Sequence, residues 1–272
     1  MSPDVRVEME DGYVAVRSGA DARLRVLFFP HAGGSAISLL PLASELPQGT
    51  ESLLFDRPGR GVRDGEPRLS TFEEARRDLT SRVEPLLDRP TILFGHSLGG
   101  LLGDAVVRSL SPERRDRIRK VIVSSAPSPR RAAAVAATLP SPPGRRSRAD
   151  LLAHLTDYGG TPAEVFSAPE LLESVIEAFG DDMLLMDSYG QDPACPVPET
   201  DYELWTGRED ASTALDELQA WAEAVERPLR ERVFPGGHFY LTEQAEARAT
   251  LRRIAGAELQ RLTSPHDQEA LT

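Results

Sequence analysis

Short apolar runs and longer mixed segments take turns along the first half of the chain. Leu24–Phe29 (LRVLFF), Glu51–Phe55 (ESLLF), Thr91–Phe94 (TILF) and Lys120–Ser125 (KVIVSS) are rich in aliphatic, aromatic and β-branched side chains. That is the pattern of short strands buried on both faces. Between them, TFEEARRDLTSRVEPLL and SLGGLLGDAVVRSL carry apolar positions at helical spacing. Strand and helix in alternation predict an α/β fold with a mostly parallel central sheet and helices on both faces. No internal repeat is visible.

The pattern changes after SSAPSP. LPSPPGRRSR is a Pro- and Arg-rich connector, and from Ala149 to about Tyr189 the spacing is helical throughout. DYELWTG (Asp201–Gly207) and RERVFPGG (Arg230–Gly237) resume the strand pattern, and a last helix is expected from Glu243 to about Leu262. The expected organisation is therefore one domain over 1–272, with a helical insertion at 138–196 placed over the strand ends. Residues 263–272 (TSPHDQEALT) read as a flexible tail.

Composition narrows the function. At 272 residues the chain can bury a sizeable core. No window approaches the ~18 uncharged apolar residues of a membrane span. The start, MSPDVRVEMEDG, has neither a basic nor an apolar leader region, so a cytoplasmic protein is expected. Cys195 is the only cysteine, which rules out an internal disulfide and a cysteine-based metal cluster. A net charge of −12, from 31 basic and 43 acidic residues, argues against nucleic acid as a partner. Within that acidic chain Arg130, Arg131, Arg145, Arg146 and Arg148 form a local basic cluster.

The stretch PTILFGHSLGGLLGD holds the chemistry. GHSLG fits G-x-S-x-G, a sharp strand-to-helix turn that lifts Ser97 above the sheet, with an apolar strand before it and a helix after. Glycines two before and two after the serine let strand and helix approach without Cβ clashes. The amide of Leu98 opens the helix and can face a developing oxyanion. An unassisted hydroxyl is a poor nucleophile, so a base is required. Of five histidines, His154, His238 and His266 follow Ser97, and only His238, in FPGGHFYL, sits in a loop after a strand. The order Ser, acid, His places the acid between them. Asp210 follows the DYELWTG strand and is the choice, with adjacent Glu209 as alternative. Asp216 reads as a surface charge, and Asp181, Asp182 and Asp187 as solvated. After the first strong strand, Pro30–Gly34 (PHAGG) offers a second oxyanion amide, assigned to Ala32. Its spacing fits neither common phosphate-loop pattern, so no cofactor is expected, and no metal.

With PHAGGS, RPGRG, GHSLGG, SSAPSP and GGHFYL in this order, the chain resembles the type II thioesterases that accompany polyketide synthases and nonribosomal peptide synthetases. The resemblance runs from about Leu24 to Leu262. It implies an α/β-hydrolase fold with a helical lid, and hydrolysis of acyl thioesters from the phosphopantetheine arm of acyl or peptidyl carrier proteins. It carries a catalytic triad onto Ser97, Asp210 and His238, and the oxyanion amides onto Ala32 and Leu98. Phe166, Leu171, Leu172, Phe179, Met183 and Met186 of the lid are expected to line the acyl pocket. The Arg130–Arg148 cluster is expected to offer a docking patch to the acidic carrier. Two departures stand out: the acid loop is GREDAS rather than G-D-x-D-P, and FGDDMLL replaces an Arg-x-Asp pattern in the lid. The other readings are a small-molecule carboxylesterase, an acyltransferase, and a non-catalytic carrier-binding member. A monomer is expected.

Overall fold

The chain enters through a hairpin that the apolar runs do not announce. In the computed structural model, which describes residues 5–19, 21–190, 200–212, 215–225 and 229–263, β1 (Val5–Met9) pairs antiparallel with β2 (Tyr13–Ser18). Gly12, with φ +93°, makes the turn. Then come β3 (Leu24–Phe29), β4 (Thr50–Phe55), β5 (Thr91–His96), β6 (Ile118–Ser124), β7 (Tyr202–Gly207) and β8 (Arg230–Phe234). Among the described residues these make one sheet in the order β1-β2-β4-β3-β5-β6-β7-β8. β2 runs antiparallel to both neighbours and every pair from β4 to β8 is parallel.

The first helices are α1 (Leu40–Ser44), α2 (Phe72–Val83), α3 (Leu98–Ser109) and α4 (Pro112–Arg115). Between β6 and β7 lie α5 (Pro129–Ala136), α6 (Arg148–Tyr158), α7 (Ala163–Phe166) and α8 (Pro169–Asp187). After β7 come α9 (Leu215–Ala224), α10 (Tyr240–Glu243) and α11 (Ala245–Arg261). The last helix therefore starts two residues later than the spacing predicts, because Gln244 is extended (φ −101°, ψ 110°) and breaks it from α10.

The strands read as unbroken apolar runs because both faces of the sheet are covered. Leu27, Phe29, Leu53, Leu93 and Val121 point into one core with Phe72 and Leu79 of α2 and Leu101 and Val106 of α3. Their sequence neighbours Val26, Phe28, Leu54, Ile92 and Ile122 point into the other, with Leu42 of α1 and Leu251 and Leu259 of α11. A third, smaller cluster joins Leu151 and Leu155 of α6 to Ile176, Phe179 and Met183 of α8, and Ala32 packs against it. That contact brings the helices after β6 to the C-terminal edge of the parallel strands, where sheets of this kind gather ligands.

No helix among the described residues is long and apolar enough to cross a membrane. The expected tail beyond Thr263, with His266, lies outside the described residues, as do 191–196 of the expected insertion, with Cys195.

Candidate active site

The turn after β5 is built by exclusion of side chains. Ser97 sits at φ 56°, ψ −122°, a region that costs a non-glycine residue about 1–3 kcal/mol. The surroundings enforce it. A Cβ on Gly95 would strike the backbone of Gly99, and one on Gly99 would strike the carbonyl of Phe29. A Cβ on Gly100 would come within 2.8 Å of that of Ala126. α3 is thus pressed onto β3 and β5, and its first amide, that of Leu98, is one the helix leaves without an internal partner. Gly99→Ala is expected to destabilise the fold by at least about 1–3 kcal/mol, because backbone rather than a side-chain tip must yield. A urea midpoint that does not move would contradict this packing.

The loops after β7 and β8 bring an acid to an imidazole. Asp210 Oδ2 lies 2.9 Å from His238 Nδ1, and both side chains are buried. Asp210 Oδ1 accepts from the hydroxyl and the amide of Ser212, at 2.6 and 2.9 Å. Burial alone would raise the Asp210 carboxyl. The His238 hydrogen bond and charge, with the Ser212 hydroxyl, outweigh it and hold the group well below the usual carboxylate range. An ionised Asp210 on Nδ1 favours the tautomer with its proton there, leaving Nε2 to accept. Glu209 points elsewhere: its carboxylate accepts from the amide of Gly236. The Asp216 side chain lies outside the described residues. Ser212 was not foreseen. The spacing D-A-S, which lets a serine two residues on bind the aspartate, is the signal that could have found it.

Behind His238 stand other rings. His96 lies 5.0 Å from it between centroids, and Tyr158 of α6 lies 4.8 Å away on an inclined plane. His96 Nδ1 is 3.0 Å from Ser124 Oγ, which is 2.7 Å from the Tyr240 hydroxyl. Burial first, then the neighbouring imidazoles, pushes His96 well below the usual histidine range. Burial, then the His238 imidazole and the Arg57 guanidinium, bring His31 down to about 3. Both imidazoles are thereby kept uncharged near neutral pH.

The loop Pro30–Gly34 is anchored from the helical stretch. Asp182 of α8 accepts from Arg57 Nε and Nη2 at 2.9 and 2.7 Å, from Arg60 Nη1 and Nη2 at 2.5 and 3.1 Å, and from the Gly33 amide at 2.6 Å. Burial would raise the Asp182 carboxyl, but the two guanidiniums hold it below its ordinary value. Asp181, Asp182 and Asp187, expected to be solvated, are 4%, 1% and 5% exposed. Asp181 pairs with Arg68 and Arg145, and Asp187 with Arg146. The arginines of the basic cluster are paired as well. Arg130 pairs with Glu223, Arg131 with Glu217 and Arg148 with Glu173, so no arginine of the expected docking patch presents an uncompensated charge.

Two cavities meet at Ser97 and His238. The first, about 80 Å³, is mainly apolar, lined by Leu155, Val175, Phe179, Met183 and Met186 together with Ala32 and Gly33. The second, about 240 Å³, adds Ser125, Arg131, Arg146, His154, Asp187 and Ser212. Tyr158, Met183 and Met186 line both. Phe166, expected in the wall, is in neither lining and is 39% exposed, since it ends the short α7 facing outward. Leu171 is likewise half exposed.

Comparison with known proteins places this geometry in context. Residues 24–257 match the family model described as the thioesterase domain. The chain is 31% identical over 235 residues to the probable cadicidin biosynthesis thioesterase of Streptomyces griseus, covering 84% of this chain and 61% of that protein. It is 30% identical to thioesterase PikA5 of Streptomyces venezuelae, covering 82% of this chain and 78% of the relative. The chain thus spans less than two thirds of the first relative. Among solved structures, the type II thioesterase BorB from the borrelidin biosynthetic cluster superposes with a TM-score of 0.72 at 28% identity, covering 88% of this chain and 94% of BorB. The shared architecture is that of the α/β-hydrolase thioesterases.

Proposed function

The chain belongs to the thioesterase domain family, among the type II thioesterases, and from that premise we propose that it hydrolyses acyl thioesters carried on the phosphopantetheine arm of acyl or peptidyl carrier proteins. The observation that carries the reading is the Asp210–His238 contact at the junction of two unlike cavities, beside a serine held in a strained turn. In this reading the apolar cavity takes the acyl group and the larger, more polar one takes the pantetheine arm with its amides. The segment from α6 to α8 acts as a lid, shaping the acyl wall and keeping bulk water out.

Chemistry follows in two steps. His238 Nε2 accepts the Ser97 proton as Oγ attacks the thioester carbonyl, and the Leu98 and Ala32 amides hold the oxyanion. The carbon–sulfur bond breaks and the pantetheine thiol leaves with the proton from His238. Water, losing a proton to His238, then attacks the acyl-serine, and Ser97 is regenerated as the carboxylic acid departs. Asp210 keeps the imidazole oriented and stabilises its charged form. Clearing unproductive acyl groups from a biosynthetic assembly line is the role this activity serves.

Mass spectrometry of a panel of acylated carrier proteins tests the reading against its rivals. The expected result is discharge to free acid, with kcat/KM well above that for an oxygen ester of the same acid. Preference for the oxygen ester would favour a carboxylesterase. An amide or ester product formed only when an acceptor is added would favour an acyltransferase. Discharge no faster than in buffer would leave a carrier-binding protein without turnover.

A further inference from the structure

The loop after β3 is held from behind by a buried guanidinium, and that hold sets the direction of one amide. Arg57 donates to the carbonyls of Pro30 at 3.0 Å, His31 at 2.7 Å and Gly34 at 3.4 Å. In a trans peptide the C=O of one residue and the N–H of the next point in opposite directions. Drawing the His31 carbonyl onto Arg57 therefore turns the Ala32 N–H away from the guanidinium, and Ala32 lines the cavity that holds Ser97. Arg57 is itself fixed by two hydrogen bonds to Asp182, which lies on α8 and also accepts from the Gly33 amide. Gly33, at φ +76°, packs against Phe179 of the same helix.

We propose that Arg57, locked by Asp182, is the positioning residue for the Ala32 amide, so that the oxyanion donor is aimed only while α8 is seated on the loop. This rests on the reading of Ala32 as an oxyanion donor. The same helix supplies Phe179, Met183 and Met186 to the cavity wall, so the closure that completes the wall also arms the amide. With α8 lifted, the Arg57 anchor and the Gly33 bond are lost together, and the site can admit or release an acyl chain without hydrolysing it.

Arg60 bridges the Gly34 carbonyl to Asp182 and Ala178 of α8 and so belongs to the same seating. Arg148 supplies the control: it pairs with Glu173 of the same helix, away from the loop Pro30–Gly34. With a small acyl-N-acetylcysteamine thioester, Arg57→Lys is expected to lower kcat about 10–100-fold with KM within a few-fold, the scale of one misplaced oxyanion donor. Binding of a trifluoromethyl ketone analogue, which forms the oxyanion on Ser97, should weaken by the same factor as kcat/KM. Asp182→Asn should behave like Arg57→Lys, while Arg148→Lys should change all three by less than about threefold, as expected of a group that pairs with α8 but does not reach the loop. Equal losses from Arg57→Lys and Arg148→Lys, or a lowered melting temperature with kcat unchanged, would overturn the proposal. If Arg57→Lys does not fold, Asp182→Asn decides by the same split between kcat and KM. Undiminished turnover by Ser97→Ala would instead sink the reading on which the proposal rests, whatever Arg57 does.

Discussion

Ser97→Ala should lower kcat on an acyl-pantetheine thioester by about 10⁴–10⁶-fold while leaving the fold and carrier binding in place. The size follows from what remains. On the proposed mechanism the amides of Leu98 and Ala32 still polarise the carbonyl and the two cavities still bind the acyl group and the arm, so a small residual rate above water survives. No second hydroxyl, however, occupies the turn that β5 and α3 build. Alanine also fits that turn more readily than most residues, although φ 56° keeps the strain, so melting temperature should change little. Single-turnover kinetics with a folding control by circular dichroism measure both. A variant that retains wild-type turnover would remove Ser97 from the mechanism.

Asp210→Asn should cost about 10⁴ in kcat, because a carboxamide can neither enforce the Nδ1–H tautomer of His238 nor stabilise the imidazolium. Glu209→Gln should stay within a few-fold, since that carboxylate serves the Gly236 amide on an exposed turn. The contrast settles which of two adjacent acids takes part. Asp210 also has a pH signature. Its folded pKa is depressed, so its contribution to stability is present above the ordinary carboxylate range and is lost only as pH falls through the depressed value. Asp210 therefore stays ionised through the range in which thioester assays run, and an acid limb above the carboxylate range belongs to another group. Comparable losses from both variants would mean that the loop, not the charge on His238, is what the substitutions disturb.

Local patterns were legible and long-range pairings were not. Ser97 declares itself because its signal is compressed into GHSLG between a strand and a helix. His238 and Asp210 follow from chain order and from strands whose ends share one edge of the sheet. The hairpin β1–β2 had a readable cue, an Asp-Gly turn after the alternation VRVEM, but β1 is largely exposed and makes no apolar run. Asp182 could not be read at all. On a helix in isolation three aspartates look like a solvated face, and the arginines that reverse that reading lie 125 and 122 residues away. Nor could the sequence show that each arginine of the Arg130–Arg148 cluster has an acidic neighbour. Phe166 and Phe179 look alike in sequence. Only the packing of α8 on α6 decides that one faces the cavity and the other does not.

Following the acyl group itself tests the covalent step most directly. An acylated carrier protein is mixed with the enzyme, quenched in acid during a single turnover, and the protein is mapped by mass spectrometry. A transient gain of one acyl mass on the peptide holding Ser97, decaying as free acid appears and absent from Ser97→Ala, is the predicted result. Free acid released at the full rate by Ser97→Ala, or an acyl group found on another residue, would contradict it.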